Sequence, residues 1–161
     1  MIQQLIQRYT SVFSDTYEND LYNEKRFYEA ISIDLKNVNV EAIIESPFIT
    51  TRRVKELLPI FTKLKSNRVK IVVNTRNPVD HDIVMKAEAY KGLALLQSIG
   101  VQVIFTKDLH RKLVILDRSI LWEGSLNILS QNKSREVMRR IISPQQAWQM
   151  VRFTRLDTLM N

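Results

Sequence analysis

The sequence predicts an α/β fold with a mixed, mainly parallel central sheet and helices on both of its faces. The first observation is that short apolar runs rich in strand-forming residues alternate with amphipathic helical patterns between residues 40 and 105. A strand–helix–strand order of this kind implies right-handed crossovers and parallel strands. The second observation is the composition: 161 residues with 45% hydrophobic and 25% charged side chains are ordinary values for one globular domain. We therefore expect residues 1–161 to form a single domain.

The first elements are assigned from the spacing of apolar residues. Residues 1–38 carry a helical pattern, and we expect a helical N-terminal extension that packs on the domain, with a subunit contact or a DNA-reading helix as alternatives. The run VEAIIES at 40–46 is the first predicted strand, and it ends before a proline, which cannot continue a central strand. Thr50 or Thr51 can cap the next helix, which contains Pro59 and should kink or split there.

The elements that follow complete a parallel unit. VKIVVNT at 69–75 is a nearly continuous apolar run, which is typical of a strand buried on both faces. Asp80 is predicted to cap a helix over 81–99, and Gly100 stands where a left-handed residue usually ends a helix. VQVIF at 101–105 is the third predicted strand.

The composition excludes several classes of site. No cysteine is present, so disulfides and thiolate metal ligands are ruled out. With two histidines in all, a His-rich metal site is ruled out too, and we interpret His81, which has no partners in the sequence, as structural. Since there is no leader and no apolar run of about 18 residues, we expect a cytoplasmic protein without a membrane contact. The net charge of +7 favours an anionic partner, either nucleic acid or acidic lipid.

The most informative segment is HRKLVILDRSILWEGSLN at 110–127. Two strand-like runs joined by a two-residue Arg-Ser turn predict a hairpin in which Lys112 lies opposite Ser125 and His110 lies opposite Asn127. Residues two apart share one face of a strand. One nucleophile or base, one cation and two neutral hydrogen-bonding groups are therefore predicted to form a patch that can bind an oxyanion.

The same alternation of side chains along the predicted hairpin gives two other residues of the segment a structural role. Asp117 falls at the turn and on the opposite face, where its carboxylate can accept hydrogen bonds from backbone amides. Gly124 also lies on that face and would allow close packing or a bulge. After the segment, EVMRRII at 136–142 predicts a further strand, and Ser143 followed by proline predicts the start of a last helix.

These residues resemble the signature of the phospholipase D superfamily, H-x-K-x4-D-x6-G-S-x-N, without a mismatch. The flanking sequences ESPFIT, VVNTRNP and SLNILSQNKSREVMRRI are similar to nuclease-type members, including nuclease domains at the C-terminus of DNA helicases. The resemblance implies a phospholipase D-like fold and a phosphodiesterase reaction that needs neither a metal nor another cofactor.

The resemblance also implies a role for each matched side chain. His110 would attack phosphorus and form a phosphohistidine. Lys112 and Asn127 would hold the non-bridging oxygens, and Ser125 would add a hydrogen bond. Glu136 matches an acidic residue that orients a catalytic histidine in some relatives.

A second histidine is needed to protonate the leaving oxygen and then to activate water. Larger members of the superfamily carry two copies of the motif, whereas this chain has one. We therefore predict a two-fold homodimer in which two His110 faces build one shared active site. Trp122 and Leu126 are candidates for that contact, with a place in the core as the alternative.

The leading functional hypothesis is a DNA endonuclease. Several cations lie in or near loops that follow predicted strands, where ligands of parallel sheets usually bind: Arg52, Arg53, Lys55, Arg76, Lys107 and Arg111. Two alternatives stay open. One is a phospholipid hydrolase or phosphatidyl transferase with the same signature, and the other is a non-catalytic DNA-binding module of a larger helicase.

Overall fold

The computed structural model of the protein describes residues 18–130 and 134–159, and within them the strands form a seven-stranded sheet. The strands are β1 (Glu18–Asn23), β2 (Glu41–Glu45), β3 (Lys70–Thr75), β4 (Gln102–Phe105), β5 (Leu113–Leu116), β6 (Ile120–Gly124) and β7 (Val137–Ile142). The helices are α1 (Phe27–Lys36), α2 (Thr51–Ser66), α3 (Ile83–Ser98), α4 (Pro144–Thr154) and α5 (Leu156–Leu159), and a short 3₁₀ helix covers Pro78–Asp80.

The strand order across the sheet is β1-β7-β6-β5-β2-β3-β4. β2, β3 and β4 are parallel, as the alternation of strands and helices predicts, because α2 and α3 connect them. The pairs β2–β5, β5–β6, β6–β7 and β7–β1 are antiparallel. The mixed α/β class is thus confirmed, but the sheet is not mainly parallel, because β5, β6 and β7 follow one another along the chain and pair as neighbours.

Helices pack on both faces of the sheet, as predicted. On one face, α1, α2 and α3 enclose a large core that includes Phe27 and Trp122, both fully buried. On the other face, α4 and α5 cover a smaller core that includes Val151. The alternation of side chains along β2 explains the two layers, because Ile43 belongs to the smaller core and Ile44 to the larger.

Trp122 and Leu126 belong to the large core, so their prediction as candidates for a subunit contact is wrong and the alternative, a place in the core, is what the structure shows. The indole Nε1 of Trp122 donates to Asp34 Oδ2 at 2.8 Å, and the same carboxylate accepts two hydrogen bonds from Arg140 at 2.7 and 2.8 Å. The tryptophan therefore joins α1 to the sheet and has no polar group left to present to a partner.

The N-terminal region differs from the prediction. Residues 18–23 form β1, an edge strand antiparallel to β7, instead of part of a helix, and between residues 18 and 38 the helix is limited to α1. The sequence ENDLYN is mostly exposed, and its strand conformation depends on pairing with a strand near the other end of the chain. A pattern read along the sequence cannot show that pairing. Residues 1–17, which the predicted helix also included, lie outside the described residues.

Helix α2 begins after one of the two predicted cap residues, Thr50, and continues through Pro59. The hydroxyl of Thr50 accepts from the Arg53 amide at 3.4 Å, and the helix then continues through Pro59 without splitting. Pro59 is exposed. Water can therefore reach the backbone carbonyl that loses its partner, which lowers the cost of a proline inside a helix.

Helix α3 is capped by Asp82 rather than Asp80. The Asp82 carboxylate accepts from the Met85 amide at 2.9 Å, whereas Asp80 belongs to the preceding 3₁₀ helix. The far end is as expected, since Gly100 follows the helix with a φ of +82°.

The predicted hairpin of β5 and β6 is present with a different register. Leu116 pairs with Ile120, so each partner lies one residue away from its expected position. Lys112 consequently lies opposite Gly124, whose amide donates to the Lys112 carbonyl at 3.3 Å, and not opposite Ser125. Ser125 lies beyond the end of β6, in the loop that follows it.

Candidate active site

The signature residues lie at one edge of the sheet, which we call the carboxyl edge because β2, β3 and β4 end there. β5 begins at this edge, since it runs antiparallel to β2 with Leu113 beside the last residue of that strand. β6 ends there and β7 begins there. His110 and Lys112 precede β5, and Ser125 and Asn127 follow β6, so the fold brings all four to the carboxyl edge although the predicted register was wrong.

The side chains of His110 and Lys112 lie against each other. Lys112 Nζ is 3.3 Å from His110 Nδ1 and donates to the His110 carbonyl oxygen at 2.9 Å. His110 is exposed and Lys112 is half-buried. Burial lowers the pKa of Lys112, and the negative charge of Glu136 opposes that effect. An ammonium group thus stands beside an exposed imidazole.

Glu136 lies close to both halves of the signature. Its pKa is lowered, first by a hydrogen bond from the Ser125 hydroxyl, then by one from Ser134 at 2.6 Å, and further by the charge of Lys112. Its carboxylate is therefore ionised at neutral pH, while the main chain of Val137 fixes Ser125, because the Val137 amide donates to Ser125 Oγ at 3.2 Å. In the described part of the chain, its hydrogen bonds do not reach His110.

The loop that carries Asn127 is fixed by groups from α1 and the start of α2. The Tyr28 hydroxyl donates to the Asn127 carbonyl at 3.2 Å. The next two carbonyl oxygens accept from Arg53 Nε at 3.0 Å and from the Thr50 amide at 2.8 Å. Burial raises the pKa of Tyr28 to about 12. Asn127 is itself buried, and its Oδ1 has no hydrogen-bond partner among the described residues.

Arg111 was predicted to contact nucleic acid, but its guanidinium turns back into the carboxyl edge. Its Nε and Nη2 donate to the two carboxylate oxygens of Glu45 at 2.7 and 2.9 Å, and this pairing raises the pKa of Arg111. The Glu45 side chain is 0% exposed and also accepts from Asn74 Nδ2 at 2.8 Å, while Asn74 Oδ1 accepts from Thr106 at 2.9 Å. This network holds the main chain between the histidine and the lysine of the signature.

The sequence reasoning missed Glu45, Asn74 and Tyr28. A signal existed for Glu45, which ends a strand whose other side chains are almost all apolar. A charge placed at the buried end of such a strand needs a partner. Nothing in the sequence indicates which residue supplies it.

The other predicted nucleic-acid contacts differ in their surroundings. Arg53 is 5% exposed and holds the loop after β6, so we assign it to that loop and not to a ligand surface. Arg52 is exposed and bonds a glutamate one turn along α2 at 2.6 Å. Lys55 and Lys107 are exposed, and Arg76 is half-buried directly after β3. All of them lie at or next to the carboxyl edge.

Asp117 lies at the opposite end of β5 from His110, in the turn between β5 and β6. Its two carboxylate oxygens accept from the amides of Asn39, Val40 and Glu41 at 2.8 to 2.9 Å. Asp117 and Arg118 both have positive φ values, +49° and +46°, which lie in the left-handed region. Three residues, 117–119, separate Leu116 from its partner Ile120, where the prediction had a two-residue turn, and this longer turn is the reason for the changed register.

At Gly124, β6 passes close to the main chain of β7. A Cβ at this position would lie 2.2 Å from the Val137 carbonyl oxygen, and the φ of Gly124 is +158°. The predicted close packing is therefore seen, on the side of the neighbouring strand.

Lys112 also lines a groove of about 600 Å³ on the α4 side of the sheet. Its apolar lining is Leu21, Leu113, Val137, Met150 and Phe153, and its other cations are Arg111 and Arg139. In residues 18–130 and 134–159, no group of three or more His, Asp or Glu side chains could hold a metal ion. The same residues contain no helix that is long and apolar enough to span a membrane.

Comparison with known proteins agrees with this geometry. Residues 31–156 match the family described as the PLD-like domain of cardiolipin synthase. Nuc from Salmonella typhimurium, a phospholipase D family member, superimposes with a TM-score of 0.69 at 12% identity over 85% of this chain and 91% of its own. NucT from Helicobacter pylori gives 0.68 at 17% identity over 89% and 96%.

A third similar structure is polyphosphate kinase from Porphyromonas gingivalis, with a TM-score of 0.66 at 8% identity over 86% of this chain and 26% of the kinase. No curated protein sequence matches the chain significantly. At these identities the structural likeness concerns the fold.

Proposed function

Because the chain belongs to the phospholipase D superfamily, in the family of the cardiolipin synthase PLD-like domain, we propose that it is a metal-independent nuclease that cuts DNA internally. The observation that carries the proposal is the meeting of His110 and Lys112 with the loop of Ser125 and Asn127 at one edge of the sheet. Exposed cations at the same edge, among them Lys55 and Lys107, supply the charge that a phosphate backbone requires. Nuc and NucT, whose folds are similar, support the choice of a nuclease.

The reaction starts with attack of the His110 ring on phosphorus. The P–N bond forms as the P–O bond to the leaving group breaks, and the leaving oxygen takes a proton from a second histidine. Water then attacks the phosphohistidine while the second histidine removes its proton, which restores the free ring. Lys112 and the side-chain amide of Asn127 stabilise the charge on the non-bridging oxygens.

The contact between Lys112 and His110 fits this sequence of events. An ammonium group can only donate, so the contact at Nδ1 is made while that nitrogen is unprotonated. A bound phosphate that draws Lys112 to its oxygens frees Nδ1 to hold the ring proton. Nε2 then becomes the nucleophile.

The second histidine comes from another copy of the chain. His81 lacks the lysine, serine and asparagine that accompany His110, and its ring packs on Phe48 instead. A two-fold homodimer that brings two carboxyl edges together supplies both histidines to one phosphate. Glu136, which does not bond His110 of its own chain, is then placed to orient the partner's histidine.

A phospholipid substrate is the second candidate, and one observation favours it. The groove beside Lys112 has an apolar lining that includes Leu113, Val137 and Phe153, and it could receive an acyl chain. The family description, which names cardiolipin synthase, agrees with that possibility. Lipid headgroups and DNA both contain a phosphodiester, so the two candidate substrates are distinguished by measuring which one the protein turns over.

The test compares the two substrates directly. Plasmid DNA, oligonucleotides and phospholipid vesicles are each incubated with the protein in excess EDTA, beside His110→Ala and a surface control, Lys91→Ala. We expect DNA cleavage that persists in EDTA, is lost in His110→Ala and is unchanged in Lys91→Ala. Turnover of phospholipid without DNA cleavage would transfer the proposal to the lipid. DNA binding without cleavage, equal in all three proteins, would leave only a non-catalytic binding module.

A further inference from the structure

Phe48, His81 and Arg76 form a cluster of two rings and a cation that the proposed reaction does not use. The ring centroids of Phe48 and His81 are 5.2 Å apart with an interplanar angle of 34°, and the Arg76 guanidinium carbon lies 5.9 Å from the Phe48 centroid. Phe48 follows β2, Arg76 follows β3, and His81 precedes α3. All three are partly exposed, so the cluster is neither core nor free surface.

This cluster is tied to the loop that carries Asn127. The Ser46 hydroxyl donates to the Phe48 carbonyl at 3.0 Å and accepts from the Leu129 amide at 3.3 Å. On its other side, the Thr75 hydroxyl donates to the Pro47 carbonyl at 3.4 Å, directly before Arg76. The rings therefore occupy the carboxyl edge beside the signature residues.

The charge state of the cluster suits an aromatic ligand with an anionic neighbour. Burial, and secondly the charge of Arg76, lowers the pKa of His81, so the imidazole is neutral at pH 7. The Nε of Arg76 is buried and has no hydrogen-bond partner among the described residues, and none of the ion pairs seen there includes Arg76. An uncharged pair of tilted rings thus lies beside a cation whose Nε has no partner among the described residues.

The surrounding surface is apolar as well. Val79, in the 3₁₀ helix before α3, is 55% exposed, and Ile83 and Val84 at the start of α3 are 87% and 73% exposed. The exposed apolar side chains and aromatic rings match the base of a nucleotide, and the basic edge beside them matches its phosphate. In a duplex the faces of the bases are already stacked, so only an unpaired base can use such a surface.

Resting on the proposed nuclease function, we propose that Phe48 and His81 form a stacking platform for one unpaired base next to the cleaved phosphate, with Arg76 on the adjoining phosphate. The protein then prefers single-stranded or frayed nucleic acid over closed duplex. The preference comes from stacking, which accepts any base, and not from hydrogen bonds that read the sequence.

The platform is tested by binding in a His110→Ala background, in which the oligonucleotide stays intact. Fluorescence anisotropy compares Phe48→Leu and His81→Leu with Tyr90→Ala, which removes an exposed ring from the middle of α3. We expect each platform variant to bind a single strand about tenfold more weakly and to bind closed duplex unchanged. Tyr90→Ala should match its parent on both ligands. Leucine keeps the apolar packing, and thermal unfolding of each variant verifies that it folds.

A scan of single abasic positions along the strand then identifies the stacked base. In the parent, one or two abasic positions should weaken binding about tenfold, and in Phe48→Leu the same positions should have no further effect. Arg76→Ala should lower the slope of log affinity against log salt by about one. Abasic effects that persist in full in Phe48→Leu, or equal losses on single strands and duplex, would overturn the platform.

The outcomes also separate the platform from the nuclease proposal on which it rests. A wild-type protein that cleaves DNA normally contradicts the platform alone if Phe48→Leu, made in the His110→Ala background, binds every ligand like its parent. A wild-type protein that neither binds nor cleaves any nucleic acid contradicts both. If the apolar residues around His81 instead bind another protein, the variants lose that partner and keep their affinity for single strands, which also overturns the platform.

Discussion

Replacing Arg111 by alanine should destabilise the fold far more than the loss of a surface cation does. Glu45 is fully buried, and Arg111 supplies two of the three side-chain hydrogen bonds that its carboxylate accepts. Removing one partner of a buried pair costs about 3 to 5 kcal/mol, because it leaves an uncompensated charge. The Arg111 side chain is 42% exposed, so water can reach the vacated position. We therefore expect a loss at the lower end of that range, about 3 kcal/mol.

The assay is urea unfolding of wild type, Arg111→Ala, and a matched control, Lys107→Ala, which removes an exposed cation from the same edge. The control should stay within about 0.5 kcal/mol of wild type. In a Glu45→Gln background, where no buried charge remains, Arg111→Ala should cost about 1 kcal/mol. The difference between the two backgrounds measures the coupling of the pair. Catalytic activity should fall in Arg111→Ala, since the pair holds the main chain between His110 and Lys112.

The opposite result would restore the prediction made from the sequence. If Arg111→Ala unfolds like wild type, while its affinity for DNA falls and its salt dependence decreases by about one phosphate contact, then Arg111 contacts the phosphate backbone. The buried network at Glu45 would then contribute nothing measurable to the fold.

Further predictions concern the turn, the close approach of β6 to β7, the buried phenol and the dimer. Asp117→Ala removes the acceptor of three backbone amides and should cost about 3 kcal/mol in urea unfolding, with kcat of the folded fraction unchanged. Gly124→Ala places a Cβ against the Val137 carbonyl and should cost about 2 kcal/mol while reducing cleavage; a variant as stable as wild type would show that this approach is not tight. The folded-state pKa of Tyr28 is about 12, whereas its ordinary value is 10.0. The phenol's contribution to the free energy of unfolding is therefore complete below pH 10 and is lost, by up to about 3 kcal/mol, as the pH rises from 10 to 12. Absorbance at 295 nm follows the phenolate, and Tyr28→Phe should abolish that loss of stability. In an equal mixture of wild type and His110→Ala refolded together, activity should fall to about one quarter of that of pure wild type if both histidines serve one site, and to about one half if each chain acts alone.

Local sequence signals were sufficient for most individual elements. β2, β3 and β4 and the helices between them follow from apolar spacing, and the caps at Thr50 and Ser143 follow from residue type. β1 could not be predicted, because its residues are mostly exposed and become a strand only by pairing with β7. In the rest of the antiparallel half only the hairpin of β5 and β6 was predicted. The pairing of β5 with β2 and of β6 with β7 was not, since pairing partners are not encoded in the periodicity of one strand.

For the signature residues too, the sequence predicted one part of the arrangement and only the structure showed the rest. The spacing alone predicts that His110, Lys112, Ser125 and Asn127 lie together. The register that was used to place them together was wrong, because a turn with two left-handed residues at Asp117 and Arg118 depends on amides that lie far away in sequence. The fold still brings them to one edge, because that edge is set by strand direction and a shift of one residue does not change it.

The sequence by itself determined the chemistry that this protein can carry: one histidine–lysine motif, no thiol, a basic surface and a fold class that places loops at the ends of parallel strands. Only the tertiary structure decided which cations are available for a ligand. Arg53 and Arg111 are as charged in the sequence as Lys55 and Lys107, but the burial of Arg53 and the fixed ion pair of Arg111 with Glu45 assign them to holding the site. The physical reason is that the charge of a side chain follows from its residue type, whereas its solvation depends on every element packed around it.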